Sequence, residues 1–177
     1  ARMHAVPPFR DVAGPDLLAE LATAVAAVAS VLPESAESAA SVARRAAAAL
    51  AALPLQRCVV HGDLSRDQVV AGPHGVSLID LDRVRVDDPV VDLASWVAAD
   101  LAAGRVQEVA DPAAALGPLL SAYEDESDAR VHDRLPALTS AALLKRAAEP
   151  FRFHQPDWPD RVRDLVDAAS TLLRVTT

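Results

Sequence analysis

Between Arg57 and Ile79 the chain stops reading as helix, and that one interruption constrains its fold more than any other feature. Arg57-Cys-Val-Val60, Gln68-Val-Val70 and Val76-Ser-Leu-Ile79 are short β-type runs. Ala71-Gly-Pro-His-Gly75 joins the last two at hairpin length. Polar residues gather where these runs end: His61-Gly-Asp63 after the first, Asp80-Leu-Asp82 after the third. The implied class is α+β and predominantly α-helical, with a small β-hairpin patch carrying two polar loops.

The flanks are helical by pattern. Residues 1–15 carry three prolines and read as a connection. From Asp16, Leu17, Leu21, Val25, Val28 and Leu32 form a one-sided stripe that Pro33 stops. An alanine-rich helix is expected over 38–53, since alanine favours helix intrinsically. Asp88-Pro89 is a helix start, with Asp88 as N-cap and Pro89 in the first position. Leu93, Trp96, Val97 and Leu101 give that helix its buried side, and Gly104 ends it. Asp111-Pro112 repeats the signal for a helix through Tyr123, and the acidic run 124–128 reads as a solvated turn. Further helices are expected over 129–149 and from Pro159 to Arg174.

With 177 residues the chain suits one domain able to bury a continuous core. Aromatics are only 3% of it, so alanine, leucine and valine must fill that core, which favours closely packed helices. The formal charge of −8 argues against a nucleic-acid partner, because neutralising phosphates needs a basic face. An acidic surface suits solubility and would also attract a cationic substrate. One cysteine, Cys58, permits no intrachain disulfide and suits a reducing compartment. No long apolar run of membrane-spanning length appears, and the N-terminus lacks a signal-peptide block, so no membrane partner and a cytoplasmic location are expected.

The polar loops carry chemistry of a particular kind. Phosphoryl transfer asks for a carboxylate to orient an acceptor hydroxyl, and for oxygen ligands that hold Mg²⁺ against nucleotide phosphates. Mg²⁺ takes one or two protein ligands and keeps several waters. Asp63 supplies a carboxylate, Gln68 a neutral oxygen on the same loop, and Asp80 a second carboxylate that the hairpin folds back beside Gln68.

His61-Gly-Asp-Leu-x-x-x-Gln68, then Ile79-Asp80-Leu-Asp82, then Asp88-Pro-x-x-Asp92-Leu-Ala94 resembles the aminoglycoside phosphotransferase family, which includes choline kinases and maltokinases and shares the protein-kinase fold. Arg2-Met-His-Ala-Val-Pro7 resembles the leucine-histidine helix end that in this family precedes inserted helices. The resemblance is sharp over 58–94 and implies Mg²⁺ with ATP, or another nucleoside triphosphate, as cofactor. It also implies a role for each matching residue: Asp63 as catalytic base, Gln68 and Asp80 as metal ligands, His61 as a brace of the catalytic loop. Asp92 becomes a structural aspartate, with a solvated first-turn acid as the alternative. Arg83 matches an arginine that follows the metal aspartate in aminoglycoside 3'-phosphotransferases, whereas Arg85 is expected on a solvated face. Gln68 stands where asparagine is usual, and the chain contains no asparagine. Ser65 and Arg66 replace the usual His-Pro, and Asp82 fills a position where an acid is ordinary; these three are secondary site candidates.

Kinases of this fold grip ATP with a glycine-rich loop and a lysine upstream of the catalytic loop. Here the only lysine is Lys145, and only Gly14 precedes Gly62. The chain is therefore expected to be the C-terminal lobe alone, inactive without the missing N-terminal lobe as partner. Within it, 1–57 is a helical lead-in, 58–83 the catalytic loop and metal-binding hairpin, and 84–177 a helical subdomain. The expected activity is transfer of the ATP γ-phosphate to a hydroxyl of a small molecule: a sugar, an aminoglycoside or a related metabolite. Choline fits poorly, because few aromatics are available for a cation cage. An inactive kinase-like lobe serving as a scaffold is the alternative. A metallophosphoesterase stands third, for want of an asparagine.

Overall fold

The computed structural model describes residues 2–7, 16–54, 56–73, 75–106, 111–127 and 131–174. Among the described residues eight α-helices and four short strands follow in the order α1 (Leu17–Val31), α2 (Ala36–Ala51), β1 (Cys58–Val60), β2 (Val69–Gly72), β3 (Gly75–Leu78), β4 (Arg85–Asp87), α3 (Val90–Ala102), α4 (Pro112–Leu116), α5 (Pro118–Glu124), α6 (Val131–Arg146), α7 (Glu149–Arg152) and α8 (Trp158–Leu172). The class is α+β and mostly helical, as the patterning implies.

Helices α3 and α6 pack together at the centre, and α1, α2 and α8 pack around α6. The stripes become the core: Leu21 and Val28 from α1, Val42 from α2, Val97 from α3, Leu144 from α6 and Leu172 from α8 are all essentially buried. Each such aliphatic side chain contributes about 1.5–3 kcal/mol on leaving water. Alanines at the contacts, such as Ala39, Ala46, Ala98 and Ala169, are wholly buried and let the helices approach.

Local signals set most boundaries. The Asp16 carboxylate accepts from the Leu18 and Ala19 amides and caps α1. The Asp88 carboxylate accepts from Val90 N at 3.0 Å at the start of α3. Helix α2 begins earlier than its expected start at 38, because Pro33 opens a 3₁₀ turn (Pro33–Ser35) that runs directly into it.

Two expectations fail. The helix expected from Asp111 to Tyr123 is two helices, split at Gly117 (φ 49°, ψ −126°). Pro118 has no amide hydrogen and bars its predecessor from helical geometry, so α5 starts afresh and Leu119 is left 39% exposed. The helix expected over 129–149 ends at Arg146, and α7 restarts at Glu149 with Pro150 in its first turn. The tip residue His74, the end of the acidic run at residue 128, and residues 129–130 lie outside the described residues.

The strands form two separate antiparallel pairs. β1 pairs with β4, Val59 opposite Val86; β2 pairs with β3, Val69 opposite Leu78. The first pair is largely buried, and the second is a hairpin on the surface.

Candidate active site

The loop after β1 is held from below by a single carboxylate. Asp92, in the first turn of α3, is 1% exposed and accepts from the backbone amides of His61 (2.9 Å) and Gly62 (2.8 Å). Its third partner is His4, whose Nε2 lies 2.9 Å away. Because a carboxylate only accepts, Nε2 carries the proton; in the neutral tautomer Nδ1 is left to accept from the Tyr123 hydroxyl at 2.8 Å. A buried charge costs several kcal/mol unless its hydrogen bonds are made, and here three are made. Asp92 is thus not a solvated first-turn acid.

Gly62 carries a second constraint. Its φ is +85°, and a Cβ there would stand 2.4 Å from the Arg83 carbonyl oxygen and 2.6 Å from Arg85 Nη1. Only glycine tolerates both the conformation and the approach. Arg85 itself is only 14% exposed; it donates to Gly62 O at 3.1 Å and pairs with Asp87 at 3.0 Å. The expectation of a solvated Arg85 is corrected: β4 lies beside the loop, and the guanidinium satisfies a loop carbonyl.

His61 is wholly buried and its Nε2 donates to Ile79 O at 2.9 Å, while Nδ1 is buried without a partner. That bond ties the loop after β1 to the end of the surface hairpin, one residue before Asp80. Ile79 N also donates to Gln68 O at 3.0 Å, extending the β2–β3 pairing.

Asp63 is engaged on one oxygen. Arg146, at the end of α6, donates to Oδ1, and the Ser95 hydroxyl lies 3.4 Å from the same atom. Among the described residues Oδ2 has only Arg83 Nε, at 3.7 Å. Arg146 also reaches Glu149 at 3.3 Å. Burial pushes the Glu149 carboxyl up, against the lowering influence of Arg146. Ser95, Arg146 and Glu149 carry no sequence motif; they join the site because α3 and α6 cross beneath the loop.

Gln68 closes a capping box: its amide oxygen accepts from Ser65 N at 2.6 Å, and the Ser65 hydroxyl accepts from Gln68 N. Arg66 turns away from the loop, pairing with the buried Asp100 at 2.8 Å and lying 5.3 Å from the centre of the Trp96 ring. Arg105 holds the same carboxylate at 2.7 Å, so Asp100 anchors the loop to the end of α3. Asp80 is exposed and left-handed (φ 61°, ψ 60°), a conformation costly to a residue with a Cβ. Among the described residues neither its carboxylate nor that of Asp82 has a protein partner.

The donors fit a hard divalent cation. Asp80 offers a free carboxylate, and the Gln68 amide oxygen retains a second lone pair. Among the described residues no three His, Cys, Asp or Glu converge as a self-sufficient metal cage. Cys58 has no part in this chemistry: burial, with Asp92 and Asp88 adding, pushes its thiol up to about 12.

Asp63, Ser95 and Arg146 face a cavity of about 620 Å³ that runs beneath α1 and α2. Its size lies in the range of small-molecule sites. Leu17, Ala47 and Leu50 provide apolar wall, and Arg57 and Arg152 also line it.

The chain matches the model of the phosphotransferase enzyme family over residues 1–131, and it belongs to that family. Its fold is similar to that of the choline kinase LicA from Streptococcus pneumoniae, with a TM-score of 0.63 at 18% identity. The alignment covers 95% of this chain and 59% of the choline kinase, so the chain spans about three-fifths of that enzyme's length. No curated protein matches the chain in sequence. Among the described residues no helix is long and apolar enough to cross a membrane.

Proposed function

We propose that this chain is the base-and-metal part of an ATP-dependent phosphotransferase that phosphorylates a hydroxyl of a small molecule. The observation that carries this is the state of Asp63, which lines the cavity: one carboxylate oxygen is fixed by Arg146, while the other has, among the described residues, only Arg83 at 3.7 Å. A hydroxyl bound in the cavity would donate to Oδ2 and be aimed along one direction. As the acceptor oxygen forms its bond to the γ-phosphorus, the bond from phosphorus to the bridging oxygen breaks, ADP leaves, and Asp63 takes the hydroxyl proton. Gln68 and Asp80 would hold Mg²⁺, which when bound with nucleotide neutralises phosphate charge. The strained backbone of Asp80 supports this role, since such strain concentrates at functional sites.

The nucleotide requires a second lobe, which we assign as the partner of this chain. Val70, Val76, Ile79 and Leu81 are 46%, 68%, 47% and 52% exposed around the β2–β3 hairpin, an apolar strip beside Asp80 that such a lobe would cover. With that lobe present, Mg²⁺-dependent release of ADP on addition of acceptor is the expected result. Asp63→Asn should lower kcat by about 10²–10⁴-fold. Turnover that survives Asp63→Asn sinks the reading.

A second reading is a scaffold without catalysis, favoured by the way Arg146 and Ser65 already occupy Asp63 and Gln68. It predicts that ATP with Mg²⁺ leaves the Tm of the two-lobed protein unchanged.

A further inference from the structure

The charge of the cavity runs opposite to the charge of the chain. Seven of the 17 lysines and arginines line it, against five of the 25 carboxylates, leaving a formal excess of two positive charges in a protein of net −8. Their pairing sharpens the point. Every one of those five carboxylates is already matched: Asp87 with Arg85 and Asp88 with Arg134, Glu20 with Lys145, and both Asp63 and Glu149 with Arg146. What remains are the exposed guanidiniums of Arg57 and Arg152, which among the described residues make no hydrogen bond or close ion pair, Arg152 acting on Glu149 only at longer range, and Arg83, held only by the 3.7 Å approach to Asp63. Each wall carboxylate already has a cation beside it, and the one oxygen left for a ligand, Oδ2 of Asp63, has Arg83 and Arg146 as neighbours, so an ammonium group would meet more positive charge than negative.

We propose that the molecule bound in this cavity carries an anionic group, a carboxylate or a phosphate, recognised by Arg57 and Arg152. The inference rests on the proposed phosphotransfer site, because Asp63 lines the same cavity. Guanidinium forks match both oxyanions bidentately, and a concave, partly apolar wall strengthens that attraction. An aminoglycoside or another polyamine would meet unpaired like charges there, which disfavours it. The acidic surface that would attract cations is therefore not the surface of the site.

Calorimetric titration of the full chain with four hexoses at matched ionic strength tests this. The ligands are glucuronate, glucose 6-phosphate, glucose and glucosamine. At least one of the two anions should bind about tenfold tighter than glucose, with glucosamine weakest. Comparing glucuronate with glucose 6-phosphate decides between carboxylate and phosphate. The paired substitution R57Q/R152Q should erase the preference, and R57K/R152K should restore part of it. Glucosamine binding as tightly as both anions, no binding by any of the four, or a preference that survives R57Q/R152Q overturns the proposal. The titration needs no turnover, so its outcome is separate from the Asp63 test. Anion binding without phosphate transfer would keep the pocket assignment and remove the kinase; transfer to glucosamine would do the reverse.

Discussion

Both small sheets are two antiparallel strands rich in valine, yet Val59, Val60 and Val86 of the β1–β4 pair are at most 5% exposed, whereas Val70 and Val76 of the β2–β3 pair are 46% and 68% exposed. The difference follows from how each is tied in. The first pair leads into a loop whose amides Asp92 of α3 gathers, together with His4, into one cluster. The second is exposed along most of its length, and the His61–Ile79 hydrogen bond ties its end to the loop after β1. The half of the site that bears the proposed base Asp63 is thus tied down by residues of this chain. The half that bears Asp80 is finished on one side only, and its apolar strip marks where the proposed nucleotide lobe would rest.

If that contrast holds, the largest effect should come from Asp92→Ala, which strips three hydrogen bonds from buried groups. A loss of about 3–5 kcal/mol in urea unfolding is expected. A loss under about 1 kcal/mol would mean that Asp92 does not hold the loop. Next comes Gly62→Ala, which adds a Cβ 2.4 Å from the Arg83 carbonyl oxygen at a φ of +85°. It should cost about 2–4 kcal/mol by the same measurement. The smallest effect is expected on the exposed hairpin. Val76→Ser with Leu81→Ser should change the stability of this chain by no more than about 0.5 kcal/mol. The same pair should weaken association with the nucleotide lobe, measured by calorimetry. A loss on the hairpin comparable to that of Asp92→Ala would erase the distinction between the two sheets.

Much of the architecture was legible in the sequence, and the reason is local. The stripe on α1, the cap at Asp16, the Asp88-Pro89 start of α3 (whose N-cap is Pro89, one residue later than expected) and the alternation of β-runs with turn residues are encoded within a few residues of each other, where propensity and hydrogen bonding act directly. The broken helices mark the limit of that reading. The stripe through Leu116, Leu120 and Tyr123 is continuous, but Gly117-Pro118 divides it, and the apolar periodicity outweighed a breaker that lay in plain view.

Of the site, the sequence determined which residues stand at the strand ends: Asp63 and Gln68 on one loop, Asp80 and Asp82 after the hairpin, Asp92 in the first turn of α3. It could not supply Ser95 or Arg146, which reach Asp63 from 32 and 83 residues away along the chain only when helices cross, nor the Glu149 that Arg146 brings with it, and it offered His4 only within the Arg2–Pro7 resemblance, with no sign that it would reach Asp92 from 88 residues away. Only the tertiary structure decided the sign of charge that the cavity offers. The sequence sums all charges to −8, and a sum takes no account of distance; pairing depends on it steeply. Asp63, Asp88 and Glu20 are paired with cations that only folding brings within reach, Asp87 and Glu149 with neighbours along the chain, and Arg57 and Arg152 line the same cavity without a close carboxylate among the described residues.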